Sequence, residues 1–275
     1  MRKIFTALLC SFMILGLCAC ESDEMKSAKN AYKTEVERIE TEEKELDDLI
    51  SECQDYLATN PRVLFEDTIT ELKSSIKNAK ESKQEIPEMP KEELDINEIT
   101  ESTLKKIEYK TLIDDVTEKE KNVKNSVKQF KQLSNPTSDF VLDRLKDVSL
   151  ITGLSAITEE TDPYGDLNKE KSYSGMIYFT SSLVNQDDVY ISPTDSYGDI
   201  IVDKGTDGGG CIEIFTTVED AERRNECLGS FDGTIFSSGK HVVLGTLVVR
   251  TSDLLPLSKQ TELETAVINA LIELK

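Results

Sequence analysis

The chain of 275 residues carries 32 Lys and Arg against 53 Asp and Glu, a formal charge of −21, with one His, six Cys and no Trp. That balance speaks against nucleic acid and against electrostatic attachment to anionic lipid, since both need clustered Lys and Arg. A single His excludes a His-rich zinc site and leaves His241 as the only imidazole available to a Ser-His-Asp triad. No cofactor motif stands in the chain, and none is expected to bind.

Met1-Arg2-Lys3 is basic, Ile4 to Leu17 is free of charge, and small residues precede the polar run Glu21-Ser22-Asp23-Glu24. This is the layout of an export signal. Its end, Leu17-Cys18-Ala19-Cys20, resembles the lipobox of bacterial lipoproteins, with Cys18 where Ser, Ala or Thr is usual. The resemblance implies removal of residues 1–19 and diacylglyceryl (palmitate-bearing) modification of Cys20. Two acyl chains anchor stably, whereas a spanning helix needs about 20 apolar residues. The expected location is the extracytoplasmic face of the cell membrane. The alternatives are an uncleaved signal anchor or an ordinary cleaved peptide.

After a tether over 20–30, residues 31–133 read as helices. Tyr32, Val36, Ile39, Glu43, Leu46, Ile50, Cys53 and Leu57 follow heptad spacing, and Asn60-Pro61 stops the run. Phe65, Ile69, Leu72, Ile76 and Ala79 repeat the pattern as far as Pro87-Glu88-Met89-Pro90. Leu112, Val116, Val123, Val127 and Phe130 form a third run, closed by Asn135-Pro136. The expectation is an antiparallel hairpin or three-helix stalk, coiled-coil-like, with self-association through the helices as an alternative.

Residues 138–275 form a second domain, in which glycine and strand patterns appear. A helix is expected over Phe140–Val148 and strands over Leu150–Thr158, Gly175–Phe179, Ile200–Val202 and Cys211–Phe215. A helix should follow over Val218–Leu228, then one central strand over His241–Val249. The last helix should be capped by Ser258 and apolar at Leu263, Ala266, Val267, Ala270, Leu271 and Leu274. The fold class is α+β, a sandwich with helices on one face of the sheet, and ferredoxin-like is the nearest common architecture.

Three stretches, Asp203 to Gly209, Phe231 to Thr234 and Gly245 to Ser252, resemble the C-terminal module of uncharacterised surface lipoproteins of low-GC Gram-positive bacteria. The resemblance covers about residues 140 to 275 and implies location and architecture, with no reaction attached.

Each candidate for chemistry has a simpler reading beside it. The loop Gly205 to Gly210 can cradle an anion with backbone N–H groups, but it lacks Gly-Lys-Ser/Thr and leads into a strand, so a tight connection suffices. A ligand there would meet Asp203, Asp207, Gly208, Gly209 and His241. Asp162, Asp166 and Asn168 offer oxygens to Ca²⁺ without EF-hand spacing, and an Asp-Pro turn explains them as well. Ser237-Ser238-Gly239-Lys240-His241 gathers hydroxyls, an amine and the imidazole, or is simply a hairpin turn. Cys211 and Cys227 can be bridged outside the cytoplasm or remain two thiols, and Cys53 falls on the helical seam. The functional expectation is a non-enzymatic lipoprotein whose α+β domain binds an envelope partner. The alternatives are an envelope enzyme using the Gly-rich loops, or a structural oligomer.

Overall fold

A computed structural model describes residues 22–193, 196–234 and 237–275. The signal segment 1–19 and Cys20 lie outside the described residues. The protein is α+β, with an N-terminal helical region followed by a five-stranded antiparallel sheet. Among the described residues no helix is long and apolar enough to cross a membrane.

The helical region holds α1 (Asp23–Ala58), α2 (Asp67–Glu81), α3 (Glu93–Ser102) and α4 (Lys110–Gln132). Helix α1 begins inside the segment expected as a tether. Ser22 Oγ accepts from Met25 N at 3.1 Å, and Asp23 and Glu24 occupy the positive end of the helix. The predicted seam is buried at Tyr32, Ile39, Leu46, Ile50 and Cys53. Asn60 and Asn135 end their helices in the left-handed region, each just before a proline. Helix α3 was not anticipated by periodicity, because only Ile96 and Thr100 of its ten residues are buried and they give no stripe.

Packing divides the described chain into two units: residues up to Ile50 with Asn78–Asp114, and Ser51–Lys77 with Asp115–Lys275. The division falls within α1, α2 and α4, rather than at the expected border between 133 and 138. In the first unit, Arg38 Nη2 donates to the carbonyls of Leu104 and Ile107 at 3.1 and 3.0 Å, and Glu42 accepts from Tyr109 N at 3.0 Å. In the second, Leu64 N and Phe65 N donate to the carbonyl and hydroxyl of Ser126.

The second unit extends past 133 because the end of α4 belongs to the core of the sheet. Leu133 is fully buried in the cluster around Ile177, Phe179, Ile212 and Val249. Its carbonyl accepts from Thr246 N at 3.0 Å and from Thr246 Oγ1 at 3.1 Å. The sheet is built from β1 (Ile151–Ala156), β2 (Gly175–Ser181), β3 (Gly209–Ile214), β4 (His241–Leu244) and β5 (Leu247–Thr251), in the order β1-β2-β3-β5-β4.

Helices cover both faces, not one. On one face lie α5 (Ser138–Leu145) and α8 (Leu257–Ile272), against Ile177, Phe179, Ile212, Ile214, Leu247 and Val249. On the other lie α6 (Ile200–Lys204) and α7 (Val218–Gly229), against Met176, Tyr178, Cys211 and Val248. Burial on both sides explains the apolar stretches Met176–Phe179 of β2 and Leu247–Val249 of β5, and leaves Glu213 of β3 and Arg250 of β5 as charges inside the sheet. The element order β-β-α-β-α-β-β also departs from the β-α-β-β-α-β order of a ferredoxin-like chain.

Three local expectations are corrected. Ile200–Val202 is helical, because Asp199 Oδ1 accepts from Ile201 N and Val202 N and caps α6. The run His241–Val249 is a hairpin rather than one strand: Gly245 takes φ +65°, which β-branched neighbours cannot, and turns the chain at Gly245-Thr246. Pro256, not Ser258, stands at the cap of α8.

Candidate functional site

Strand alternation sends Ile212 and Ile214 toward α5 and α8, and Cys211 and Glu213 toward α7. Arg250 pairs with Cys211 across the ladder and so shares that face. On α7, Ala221 and Leu228 are buried, and Arg224 lies three residues after one and four before the other, on the same inward side.

These placements converge on one carboxylate. Glu213, fully buried, accepts from Arg224 Nε at 2.7 Å and Arg224 Nη2 at 2.9 Å, and from Arg250 Nη1 at 2.7 Å. Burial opposes the charge on Arg224, and the hydrogen bonds and charge of Glu213 outweigh it, so its pKa lies above the ordinary Arg value. The same holds for Arg250, where the anions that outweigh burial are Cys211 when ionised and Glu213. Burial also pushes the Cys211 thiol up, which keeps it neutral at physiological pH. Two guanidiniums thus bind one carboxylate, and Arg250 also feels the charge of Asp207. Arg250 Nε, itself buried, has no hydrogen-bond partner.

Above this cluster opens a cavity of about 360 Å³, lined among others by Tyr164, Lys171, Tyr173, Phe215, Arg224 and Cys227. Its outer wall is the loop 162–173, organised by Asp162. That carboxylate accepts from Tyr164 N at 3.1 Å, Leu167 N at 2.8 Å and Tyr173 Oη at 2.5 Å. Burial raises the pKa of Asp162, but these hydrogen bonds outweigh it and hold the group below the usual Asp value. Burial first, and Asp162 second, push the Tyr173 phenol up. These are the bonds of the Asp-Pro turn: both Asp162 oxygens accept from N–H and O–H donors. Asn168 and Lys171 take left-handed backbone conformations in this loop.

The residues expected to line one ligand loop belong to separate networks. Asp203 accepts from Ser196 Oγ at 2.9 Å and Tyr197 N at 2.6 Å. The carbonyl of Asp207 accepts from Ser252 Oγ at 2.9 Å, and that of Gly208 from Gln186 Nε2 at 2.7 Å. Gly209 and Gly210 are required by close packing rather than by an anion. A Cβ at Gly209 would sit 2.7 Å from Phe179 O, and one at Gly210 would sit 2.2 Å from Arg250 O. His241, on the edge strand β4, has Nδ1 2.7 Å from Asn225 Oδ1 and Nε2 3.4 Å from Asp232 Oδ1. It faces a second cavity, of about 510 Å³, lined also by Ser237, Lys240, Asp253 and Gln260.

Cys211 and Cys227 are both free thiols, one buried and one exposed, so the possible bridge is not formed. The two side chains meet different surroundings: Cys211 lies in the apolar layer under α7, and Cys227 opens to the cavity. Among the described residues, no group of three or more His, Cys, Asp or Glu is placed to hold a metal ion.

Sequence reasoning missed Glu213, Arg224 and Arg250 as a unit. The available signal was a lone acid in the apolar run Cys211-Ile212-Glu213-Ile214-Phe215 and a lone base at the end of Leu247-Val248-Val249-Arg250. A charge inside a buried strand demands a partner. The chain matches no protein-family model, no curated protein and no solved structure.

Proposed function

We propose that the chain is a lipoprotein anchored through acylated Cys20 on the extracytoplasmic face of the cell membrane, and that its α+β unit binds an envelope component without transforming it. The observation that carries the reading is the sequence Leu17-Cys18-Ala19-Cys20 behind a basic, apolar leader.

Two structural features support it. The seam residues Ile39, Leu46 and Cys53 are fully covered within the single chain, which favours intramolecular packing over assembly through the heptads. At the cavity beside Arg224, the buried carboxylate Glu213 is held on both oxygens by guanidiniums. A carboxylate so held is an orienting group rather than a base, which favours recognition over turnover.

The test is metabolic labelling with palmitate in a bacterial host that lipidates exported proteins. The wild-type chain takes up label and sediments with membranes. Cys20→Ser takes up none and moves to the soluble or secreted fraction. Equal labelling of the two, or a wild-type product that retains Met1, overturns the reading.

A further inference from the structure

We infer that the cavity beneath the loop 162–173 binds a small organic anion with a flat apolar body, its carboxylate head held by Arg224 and Lys171. The inference names the ligand class of the binding unit proposed above and so rests on that reading for its biological setting. The starting point is charge. The carboxylates on and under the cavity are already engaged: Asp220 by Arg223, Asp166 by Lys169 at 3.1 Å, and Glu213 by Arg224 and Arg250.

The cations are not matched in the same way. Glu213 faces two guanidiniums; Arg250 also feels the charge of Asp207, and Arg224, 31% exposed, is the one that reaches the cavity. Arg224 commits Nε and Nη2 to Glu213, and among the described residues Nη1 makes no hydrogen bond. Lys171 reaches the exposed Glu170 beside it in sequence only at 4.0 Å, and its charge also acts on Asp220 in the cavity wall. This cationic lining belongs to a chain whose formal charge is −21, so the local sign runs against the global one.

The walls define the rest of the ligand. Tyr164, Tyr173 and Phe215 line the cavity. A volume of about 360 Å³ suits a metabolite-sized molecule. Asp162 holds the Tyr173 phenol and the Tyr164 backbone by hydrogen bonds before any ligand arrives, which lowers the ordering cost of binding. An acid with an aromatic or branched aliphatic body satisfies both halves of this site.

Cys227 lines the cavity and is exposed, which makes it a reporter within the intact chain. The experiment alkylates the full-length, detergent-purified protein with iodoacetate or iodoacetamide and follows Cys227 by mass spectrometry. The ratio of the two rates at one thiol cancels its ionisation and leaves the effect of reagent charge. The urea-unfolded chain gives the reference ratio. The native ratio is expected to exceed the reference about tenfold, the factor given by roughly 1.4 kcal/mol of attraction. Benzoate should protect Cys227 and the neutral isostere benzamide should not. Arg224→Gln and Lys171→Gln should each return the ratio toward the reference and abolish benzoate protection.

Arg224→Gln leaves Glu213 its bond to Arg250, and unfolding would show as alkylation of buried Cys53 and Cys211. Lys171 lies in an exposed loop and carries the test if Arg224→Gln unfolds. A native ratio at or below the reference overturns the inference, as do equal protection by benzoate and benzamide or unchanged behaviour in folded variants. Failure of palmitate labelling removes the membrane anchor and leaves this measurement standing. Failure here leaves the anchor intact.

Discussion

Glu213→Gln is the most discriminating single change in the α+β unit. The side chain keeps its volume and loses its charge, while Arg250, about 5% exposed, stays ionised beside it. Arg224 can turn its guanidinium toward solvent, since its side chain is 31% exposed, but Arg250 has no such exit. Breaking a buried pair by removing one partner costs about 3–5 kcal/mol, chiefly because the surviving charge is left uncompensated. At a urea slope of about 2 kcal/mol per M, the unfolding midpoint should fall by roughly 1.5–2.5 M. Far-UV ellipticity is the suitable probe in a chain without Trp. Glu213→Leu combined with Arg224→Met and Arg250→Met should recover much of the loss, because an apolar replacement of the whole cluster leaves no charge behind. A midpoint within about 0.2 M of wild type for Glu213→Gln would refute the argument that this carboxylate compensates the buried Arg250.

Gly210→Ala should cost about 3 kcal/mol or more, because its Cβ would lie 2.2 Å from Arg250 O and 2.3 Å from the Phe179 ring. Gly165→Ala, at φ +64° in open space, should cost only about 1 kcal/mol, and thermal melts of the two variants check the contrast. In residues 21–275 produced without the leader, native Ellman titration should count the one exposed thiol, Cys227. Cys53 is buried with its pKa raised to about 11, first by desolvation and then by Glu120, and Cys211 is buried, so both should react only in denaturant. Asp162 has a depressed pKa, so the stability it confers is complete above the ordinary Asp value and is lost as pH falls through the lower folded value. Asp162→Asn should therefore weaken the protein at neutral pH and flatten its acid dependence below about pH 4, read from urea midpoints across pH.

Periodic burial was the part of the fold most legible in the sequence. The seam from Tyr32 to Cys53 and the strands at Gly175 and Cys211 were predictable because one face, or both, must leave water. The helix at Ile200 was not, because three β-branched residues suggest a strand and the deciding interaction is the side chain of Asp199. The hairpin at Gly245 was hidden by an apolar run that spans an edge strand, a turn and an inner strand. The site was less legible still. Glu213, Arg224 and Arg250 are far apart in sequence and meet only through strand order and helix placement. The glycine run at 205–210 drew attention as a loop, whereas Gly209 and Gly210 are small because neighbouring backbone passes so close.

The side chains that close the end of α8 come from α4. Gln132 Nε2 donates to Leu271 O at 2.6 Å, and Gln129 Nε2 donates to Ile272 O at 3.0 Å. The last carbonyls of a helix have no partners of their own. A fragment begun at the tidy composition break near 138 would discard both amides, together with the Leu133 plug, and expose the floor of the sheet. If the chain is threaded through a membrane from its front end, as the proposed anchor requires, α4 is already outside when α8 emerges, so the final helix docks onto a clasp that is waiting for it.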